Sequence, residues 1–191
     1  MSINPVSFVS PEEYLERERL SDERHEYVFG EMVAMARPSP AHGVVVNNVA
    51  FALRSRLESR GCRVFTESLR VSVKWGDLIA YPDVVLRCGK PEWADEKHDT
   101  LTNPSFIAEV LSPSTTEYDL ALKARLYRMI SSLSEYLFID PKRVHIEYWR
   151  RLPSGNWEVA DINDPDATVR LESVDFEMPV REIYKNVEVW V

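Results

Sequence analysis

The segment FIAEVL, residues 106–111, constrains the fold of this chain more than any other stretch. It is apolar at every position except Glu109, and a strand that is apolar on both faces is typical of the buried centre of a sheet. Burying a carboxylate in such surroundings is costly unless a cation or a metal ion lies beside it. The run therefore predicts a central sheet covered on both faces, with an acid inside that needs a positive partner.

The rest of the chain alternates between helical and period-two patterns. Ser10-Pro11 and Ser39-Pro40 are typical of helix starts, and Gly61 is typical of a helix end. The predicted helices cover 11–20, 40 to about 60, 118–130 and 179–184. The predicted strands cover 25–29, 31–36, 62–65, 69–73, 83–88, 106–111, 135–140, 143–151 and 156–162. This order predicts an α/β fold with a central mixed sheet flanked by helices, in one domain over residues 1–191.

The charge of the chain is unevenly placed. It has 31 acidic and 23 basic side chains and a net charge of −8, which argues against a protein that coats DNA through a uniformly basic surface. Residues 54–74 and 123–151 nevertheless each carry a net charge of +4. These stretches are either ordinary solvated faces or a basic track beside an acidic centre.

Several functional classes are excluded by missing motifs. The six glycines are isolated, so neither GxGxxG nor GxxxxGK occurs and no nucleotide cofactor is expected. The histidines lack zinc-site spacing, and no GxSxG motif is present. The chain has no apolar run of membrane-spanning length and no signal-peptide pattern. Two cysteines, Cys62 and Cys88, cannot build a disulfide scaffold and have no CxxC spacing, so a reducing cytoplasm is the expected compartment.

Two carboxylates and a lysine remain as candidates for chemistry. Asp83 follows Pro82 at the head of a predicted strand, Glu109 lies in the apolar run, and Asp119 and Lys123 share one face of a predicted helix. Each has an ordinary explanation as a turn residue, a core ion pair with an arginine or a helix-stabilising pair. Together they are the minimum set for metal-assisted hydrolysis of a phosphodiester, because carboxylates hold Mg²⁺ and lysine stabilises the developing anion.

The motifs that contain these residues resemble a known family. They are HEYVFGEMVAMA (25–36), SPAHG (39–43), YPDVVL (81–86), EVLSPST (109–115), Asp119-x₃-Lys123 and EYLFID (135–140). In this order they resemble the Uma2 family of restriction-endonuclease-like proteins, a branch of the PD-(D/E)xK nuclease superfamily. The resemblance covers about residues 8 to 185.

The resemblance implies a restriction-endonuclease-like fold, with a four- or five-stranded mixed sheet flanked by helices and an added β-hairpin region. It also implies metal-dependent cleavage of nucleic acid, expected here to be DNA. Asp83 is similar to the aspartate of the PD motif and Glu109 to the (D/E) position. Leu111 stands where the superfamily has its lysine, and the resemblance offers Lys123 in its place.

The expected site follows from these assignments. Asp83, Glu109 and the carbonyl of Val110 are expected to hold Mg²⁺ or Mn²⁺, while Lys123 positions the attacking water. The possible additional residues are Glu31, His42 and Asp119, with Asp77 and Tyr81 lining the cleft. The arginines expected to contact the nucleic-acid backbone are Arg54, Arg56, Arg60, Arg125 and Arg128.

The expected partners are DNA and further copies of the chain, as a homodimer or higher homo-oligomer, without a membrane. Two other functions stay open. One is a nuclease-fold module that binds nucleic acid or a protein without efficient cleavage, which the leucine at position 111 and the acidic charge favour. The other is a homo-oligomeric structural protein whose acids are all core ion pairs.

Overall fold

The computed structural model of the chain describes residues 8–66, 68–112 and 117–188, with the backbone alone for residues 117–119. The helices are α1 (Pro11–Leu20), α2 (Pro40–Leu57), α3 (Lys74–Asp77), α4 (Glu117–Tyr127) and α5 (Val180–Ile183). Ser10 and Ser39 cap α1 and α2 as the sequence predicts, each accepting a backbone N–H three residues later. The segment α3 is a tight turn rather than a regular helix, because Gly76 has a φ of 104°.

The strands begin with β1 (His25–Val28), β2 (Glu31–Ala34), β3 (Cys62–Thr66), β4 (Arg70–Val73), β5 (Leu78–Ala80), β6 (Val84–Cys88) and β7 (Thr100–Leu101). They continue with β8 (Phe106–Val110), β9 (Glu135–Ile139), β10 (Ile146–Arg151), β11 (Trp157–Ile162), β12 (Thr168–Leu171) and β13 (Phe176–Pro179). The central sheet has the order β11-β10-β9-β8-β6-β3. A second sheet has the order β2-β1-β5-β4-β7, and β12 pairs with β13.

The apolar run 106–111 provides the inner strand β8, whose five residues are all buried. Its neighbour β9 is buried throughout as well and runs parallel to it, while the other pairs of the central sheet are antiparallel. The helix α4 makes the connection between these two parallel strands. The fold is therefore mixed α/β, with the central sheet that the sequence predicts.

The central sheet separates two apolar cores. One face packs against α2, β12, β13 and α5, with Leu53, Phe106 and Ile146 among its fully buried residues. The other face packs against α4 and the second sheet, with Ile107 and Tyr127 among its buried residues. Successive side chains of a strand point to opposite faces, so Glu109 joins Ile107 on the face toward α4.

Several strands are missing from the sequence-based prediction. β5 and β7 are three and two residues long, too short to show a period, and β7 lies within a stretch that resembles a polar loop. β12 and β13 do alternate buried and exposed residues, but they lie in a strongly acidic tail. The central sheet has six strands rather than four or five, because the hairpin of β10 and β11 extends it beyond β9.

A disulfide joins Cys62 on β3 to Cys88 on β6, at opposite positions of the antiparallel pair. The sequence carries no signal for this bond, since register brings together residues that are 26 positions apart. The bond removes the argument from these two cysteines for a reducing cytoplasm. The bond fastens the edge strand of the central sheet.

Candidate active site

Asp83 and Glu109 lie at opposed positions where β6 begins and β8 ends, and each is 8% exposed. The last registered pair of these antiparallel strands is Val84 with Ala108, so the next position outward pairs Asp83 with Glu109. Opposed residues of an antiparallel pair have Cβ atoms about 5 Å apart. The N–H of Val110 donates to Asp83 Oδ2 at 2.7 Å and ties the strand ends together.

A histidine from the other core layer is a second partner of Asp83. His42 lies in the first turn of α2, where its backbone N–H donates to the capping Ser39. Its Nε2 lies 3.1 Å from Asp83 Oδ2, and both residues are buried. His42, one of the additional residues expected from the sequence, therefore contacts the aspartate at the site.

Helix α4 supplies two donors to Glu109. Lys123 and Tyr127 are four residues apart, so they lie on the same face of the helix. Lys123 Nζ donates to Glu109 Oε1 at 3.2 Å, and the Tyr127 hydroxyl donates to the same oxygen at 2.5 Å. The lysine thus reaches the glutamate from α4, while Leu111 packs among apolar residues of the second core.

Glu26 completes the cluster and was not expected from the sequence. It lies on β1, and Lys123 Nζ donates to its Oε1 at 2.8 Å. The second sheet brings it there, since β1 pairs with β5, the strand that leads into Asp83. Alternation places Glu26 on the opposite face of β1 from the buried Tyr27, but the sequence does not show what that face meets.

Asp83, Glu109, Glu26 and Lys123 form what we call the acid–lysine cluster. Burial is the largest cause that raises the pKa of Glu109, to about 7. The charge of Lys123 lowers this pKa, whereas the charges of Asp83 and Glu26 raise it. Burial alone would lower the pKa of Lys123, yet Glu109 and Glu26 more than offset this and raise it above its usual range. The cluster therefore brings three carboxyl groups and one ammonium together away from bulk water, so its acids outnumber its cation.

The phenol of Tyr127 stays protonated beside this cluster. Burial, followed by the charges of Glu109 and Glu26, raises the pKa of Tyr127 well above its usual value. The hydroxyl is therefore a donor at neutral pH. Glu109 consequently receives one hydrogen bond from an ammonium and one from a neutral phenol, both on a single oxygen.

The donor set fits a small divalent cation. Within the ranges that the structure describes, no three His, Cys, Asp or Glu side chains form a metal site by themselves. Mg²⁺ does not need such a cage, because it keeps several waters and is usually bound by one or two carboxylates. Asp83 and Glu109 on adjacent strands, with the backbone of Val110 beside them, provide hard oxygen ligands of the required kind.

Other expected residues lie away from the cluster. Glu31 is exposed on β2. Asp119 belongs to α4 by its backbone, and its side chain lies outside the described part of the chain. The Tyr81 hydroxyl accepts from Arg70 and donates to Glu18 in a separate buried network. The carbonyl of Asp77 accepts the N–H of Phe29 in a turn of the second sheet.

The expected DNA-contacting arginines fall into two groups. The first group lies in the last turns of α2 and just beyond, and consists of Arg54, Arg56 and Arg60. Their guanidinium groups donate to the backbone carbonyls of Val64, Glu177 and Asp175, respectively. At about 1.5 Å per residue, they begin about 18 Å along α2 from His42. The second group is close to Lys123 in sequence: Arg125 is exposed on α4, and Arg128 lies over the ring of Trp149.

This fold has been seen in a solved nuclease-like structure. The crystal structure of "a putative nuclease belonging to DUF820" from Anabaena variabilis superposes with a TM-score of 0.75. The match covers 92% of this chain and 97% of that one at 19% sequence identity. The chain therefore shares the fold of that protein, a mixed α/β fold with a central sheet flanked by helices.

The chain belongs to the Uma2 family, whose model is described as "Putative restriction endonuclease" and matches residues 11–181. Two relatives from Synechocystis sp. (strain PCC 6803), the uncharacterized proteins sll1609 and slr1290, are each 29% identical to it. The alignments cover 88% and 95% of this chain and 96% and 94% of the relatives. The family assignment confirms the resemblance of the sequence motifs to the Uma2 family.

A helix that crosses a bilayer must be long, at about 20 residues, and predominantly apolar. In the described residues no helix meets both requirements. The longest, α2, has 18 residues and carries two arginines in its last turn.

Proposed function

We propose that this protein is an endonuclease that hydrolyses phosphodiester bonds of DNA with the help of Mg²⁺ or Mn²⁺. The observation that carries the proposal is the charge of the acid–lysine cluster, in which Asp83, Glu109 and Glu26 outnumber the ammonium of Lys123. A buried excess of negative charge attracts a cation. Membership of a restriction-endonuclease-like family supports the same chemistry.

Asp83 and Glu109 would hold the cation, with the carbonyl of Val110 as a further ligand. When bound, the cation supplies Lewis-acid stabilisation of the phosphate and favours ionisation of a water molecule. His42 and the N–H of Val110 fix one oxygen of Asp83. Lys123 and Tyr127 fix one oxygen of Glu109, so the orientation of each carboxylate is set before substrate arrives.

Lys123 would act on the reacting groups directly. An ammonium has three donors, of which one is directed to Glu26 and one to Glu109. The third can orient the attacking water or donate to a phosphate oxygen as negative charge develops. Glu26 keeps the amine in place and, with Glu109, keeps it charged. Lys123 thereby takes the role that the superfamily assigns to a lysine at the position of Leu111.

The test is nicking of supercoiled plasmid in the presence of Mg²⁺ or Mn²⁺. Glu109→Ala should abolish nicking, and Lys123→Met should reduce it by about 100-fold or more while leaving Mn²⁺ binding intact. Lys123→Met removes the ammonium and keeps an unbranched side chain of similar length. Equal losses of cleavage and of Mn²⁺ binding would contradict the role given to the lysine.

A second candidate function is a module that uses the nuclease fold for binding without efficient cleavage. Two observations favour it: Leu111 occupies the lysine position, and Lys123 lies closer to Glu26 than to Glu109. Binding of DNA or of a protein that is unaffected by Mn²⁺, by Asp83→Asn and by Lys123→Met would support the module. Cation-dependent nicking by the wild type would exclude it.

A further inference from the structure

Tyr127 makes a contact that the proposed chemistry does not by itself require. Its side chain is completely buried on α4, and its hydroxyl lies 2.5 Å from Glu109 Oε1. Lys123, one helical turn earlier, donates to the same oxygen at 3.2 Å. Both bonds therefore act on one of the two oxygens of this carboxylate.

We propose that Tyr127 is a positioning residue for cation binding: its hydroxyl holds Oε1 of Glu109 and thereby directs Oε2 to the cation beside Asp83. The inference rests on the function proposed above. Two donors on one oxygen fix both the rotation and the tilt of a carboxylate, which a single flexible lysine does not. The phenol is well suited to this, because its ring is locked in the core and loses little freedom when it donates.

The ring of Tyr127 has a separate role that a phenylalanine would keep. It packs edge-on against the ring of Tyr136, with centroids 6.4 Å apart and planes at 67°. Tyr127→Phe therefore removes the bond to Glu109 and leaves the aromatic packing in place. A change in cation binding in this variant can be assigned to the hydroxyl.

Tyr136 provides a matched control within the same aromatic pair. It is also completely buried, and its hydroxyl donates to the carbonyl of Ala124 at 3.4 Å, without contact to a carboxylate of the acid–lysine cluster. Tyr136→Phe removes a buried hydroxyl from the same core. Any general effect of losing a phenol on the packing of α4 should appear in both variants.

The experiment is calorimetric titration of Mn²⁺ into the wild type and the two variants without DNA, followed by plasmid nicking over a range of Mn²⁺ concentrations. Tyr127→Phe should weaken Mn²⁺ binding by about 10- to 100-fold. Its cleavage rate should approach that of the wild type at saturating Mn²⁺, with the KM for plasmid unchanged. Tyr136→Phe should bind Mn²⁺ as the wild type does.

Three results would overturn the inference, and they differ in what else they imply. If the wild type binds Mn²⁺ and Tyr127→Phe binds it equally well, the positioning role is wrong and the proposed function stands. If the wild type neither binds Mn²⁺ nor nicks DNA, both are wrong. An equal weakening in Tyr127→Phe and Tyr136→Phe would also overturn it, since a packing effect would then explain the loss.

Discussion

Glu109 and Glu135 are buried on neighbouring parallel strands of the central sheet, and their charges are accommodated in different ways. Glu135, which is 1% exposed, accepts from the Tyr148 hydroxyl and from the N–H groups of Glu172 and Ser173, as well as the Ser173 hydroxyl. All four of these donors are neutral. Glu109 instead lies beside Asp83 and Glu26, with Lys123 and Tyr127 as its donors.

The difference indicates that Glu135 is a structural carboxylate and that Glu109 is suited to bind a ligand. The donors of Glu135 come from β10 and from the turn after β12, so the carboxylate fastens the two-stranded sheet to the central one. Glu109 accepts from Lys123 and Tyr127 of α4, but it also lies beside two further acids, Asp83 and Glu26. A buried acid whose negative charge is not fully compensated by its surroundings is typical of a ligand-binding site. It is not typical of a residue that only stabilises the packing of two elements.

The largest predicted effect comes from replacing each glutamate by glutamine. Glu109→Gln should reduce plasmid nicking by at least about 100-fold, because the amide cannot replace an anionic ligand. The same change should not lower the free energy of unfolding at pH 7. With its pKa raised to about 7, ionisation of Glu109 costs stability as the pH rises from about 4.5 toward 7, and an amide avoids that cost.

Glu135→Gln should show the opposite pattern. Its amide group would face hydrogen-bond donors, so the free energy of unfolding should fall by about 2 kcal/mol or more. Nicking by the folded fraction should be retained. Urea unfolding and the plasmid assay together measure both halves of this comparison. A stability loss in Glu109→Gln equal to that in Glu135→Gln would mean that Glu109 is structural as well.

A smaller effect is predicted for the two glutamates of the first hairpin. Glu26→Gln should reduce nicking by about tenfold, because it loosens Lys123 and removes one negative charge from the cluster. Glu31→Gln should leave nicking unchanged, since Glu31 is exposed on β2. Nicking that depends on Glu31 and not on Glu26 would support Glu31 as a ligand, as expected from the sequence. It would contradict the role that the structure suggests for Glu26.

Cation binding should depend on pH through Glu109. Its carboxylate form binds the cation and its pKa is raised to about 7, so protons compete with the cation below that pH. Mn²⁺ affinity should therefore rise by about tenfold between pH 6 and pH 8 and then level off. Calorimetric titration in several buffers would also detect the released proton. An affinity that is flat over this range would show that Glu109 is already ionised.

The loss of stability at low pH should come from a different carboxylate. Asp99 is bonded to Arg19 and Arg70, and these hydrogen bonds hold the pKa of Asp99 well below its usual value despite partial burial. A depressed carboxyl pKa contributes stability above the unfolded value, and this is lost as the pH falls below about 4. Asp99→Asn should therefore make the melting temperature less dependent on pH over that range, whereas Glu109→Gln should not.

The smallest predicted effect concerns DNA affinity. Arg125→Ala should weaken binding a few-fold and reduce its salt dependence, because this exposed arginine lies on the helix that carries Lys123. Arg56→Ala should not, since Arg56 donates to Glu177 and lies over the ring of Phe176. Filter binding at several salt concentrations would compare them. Equal losses would mean that the end of α2 also contacts DNA.

The sequence predicted the parts of the site that depend on local pattern. The buried run 106–111 located Glu109, and the spacing of the motifs indicated Asp83 and Lys123. It missed Glu26 and Tyr127, because their contacts depend on how the second sheet and α4 pack over the central sheet. It also missed the bond between Cys62 and Cys88, which is a consequence of strand register. Long-range packing carries no local signal in one sequence.

The account depends most directly on whether a divalent cation binds between Asp83 and Glu109. Crystals soaked in Mn²⁺ and measured at a wavelength with anomalous signal would locate the ion. We expect a peak in contact with both carboxylates, beside the backbone of Val110, that is lost in Asp83→Asn. No peak at this position, or a peak unaffected by Asp83→Asn, would contradict the account.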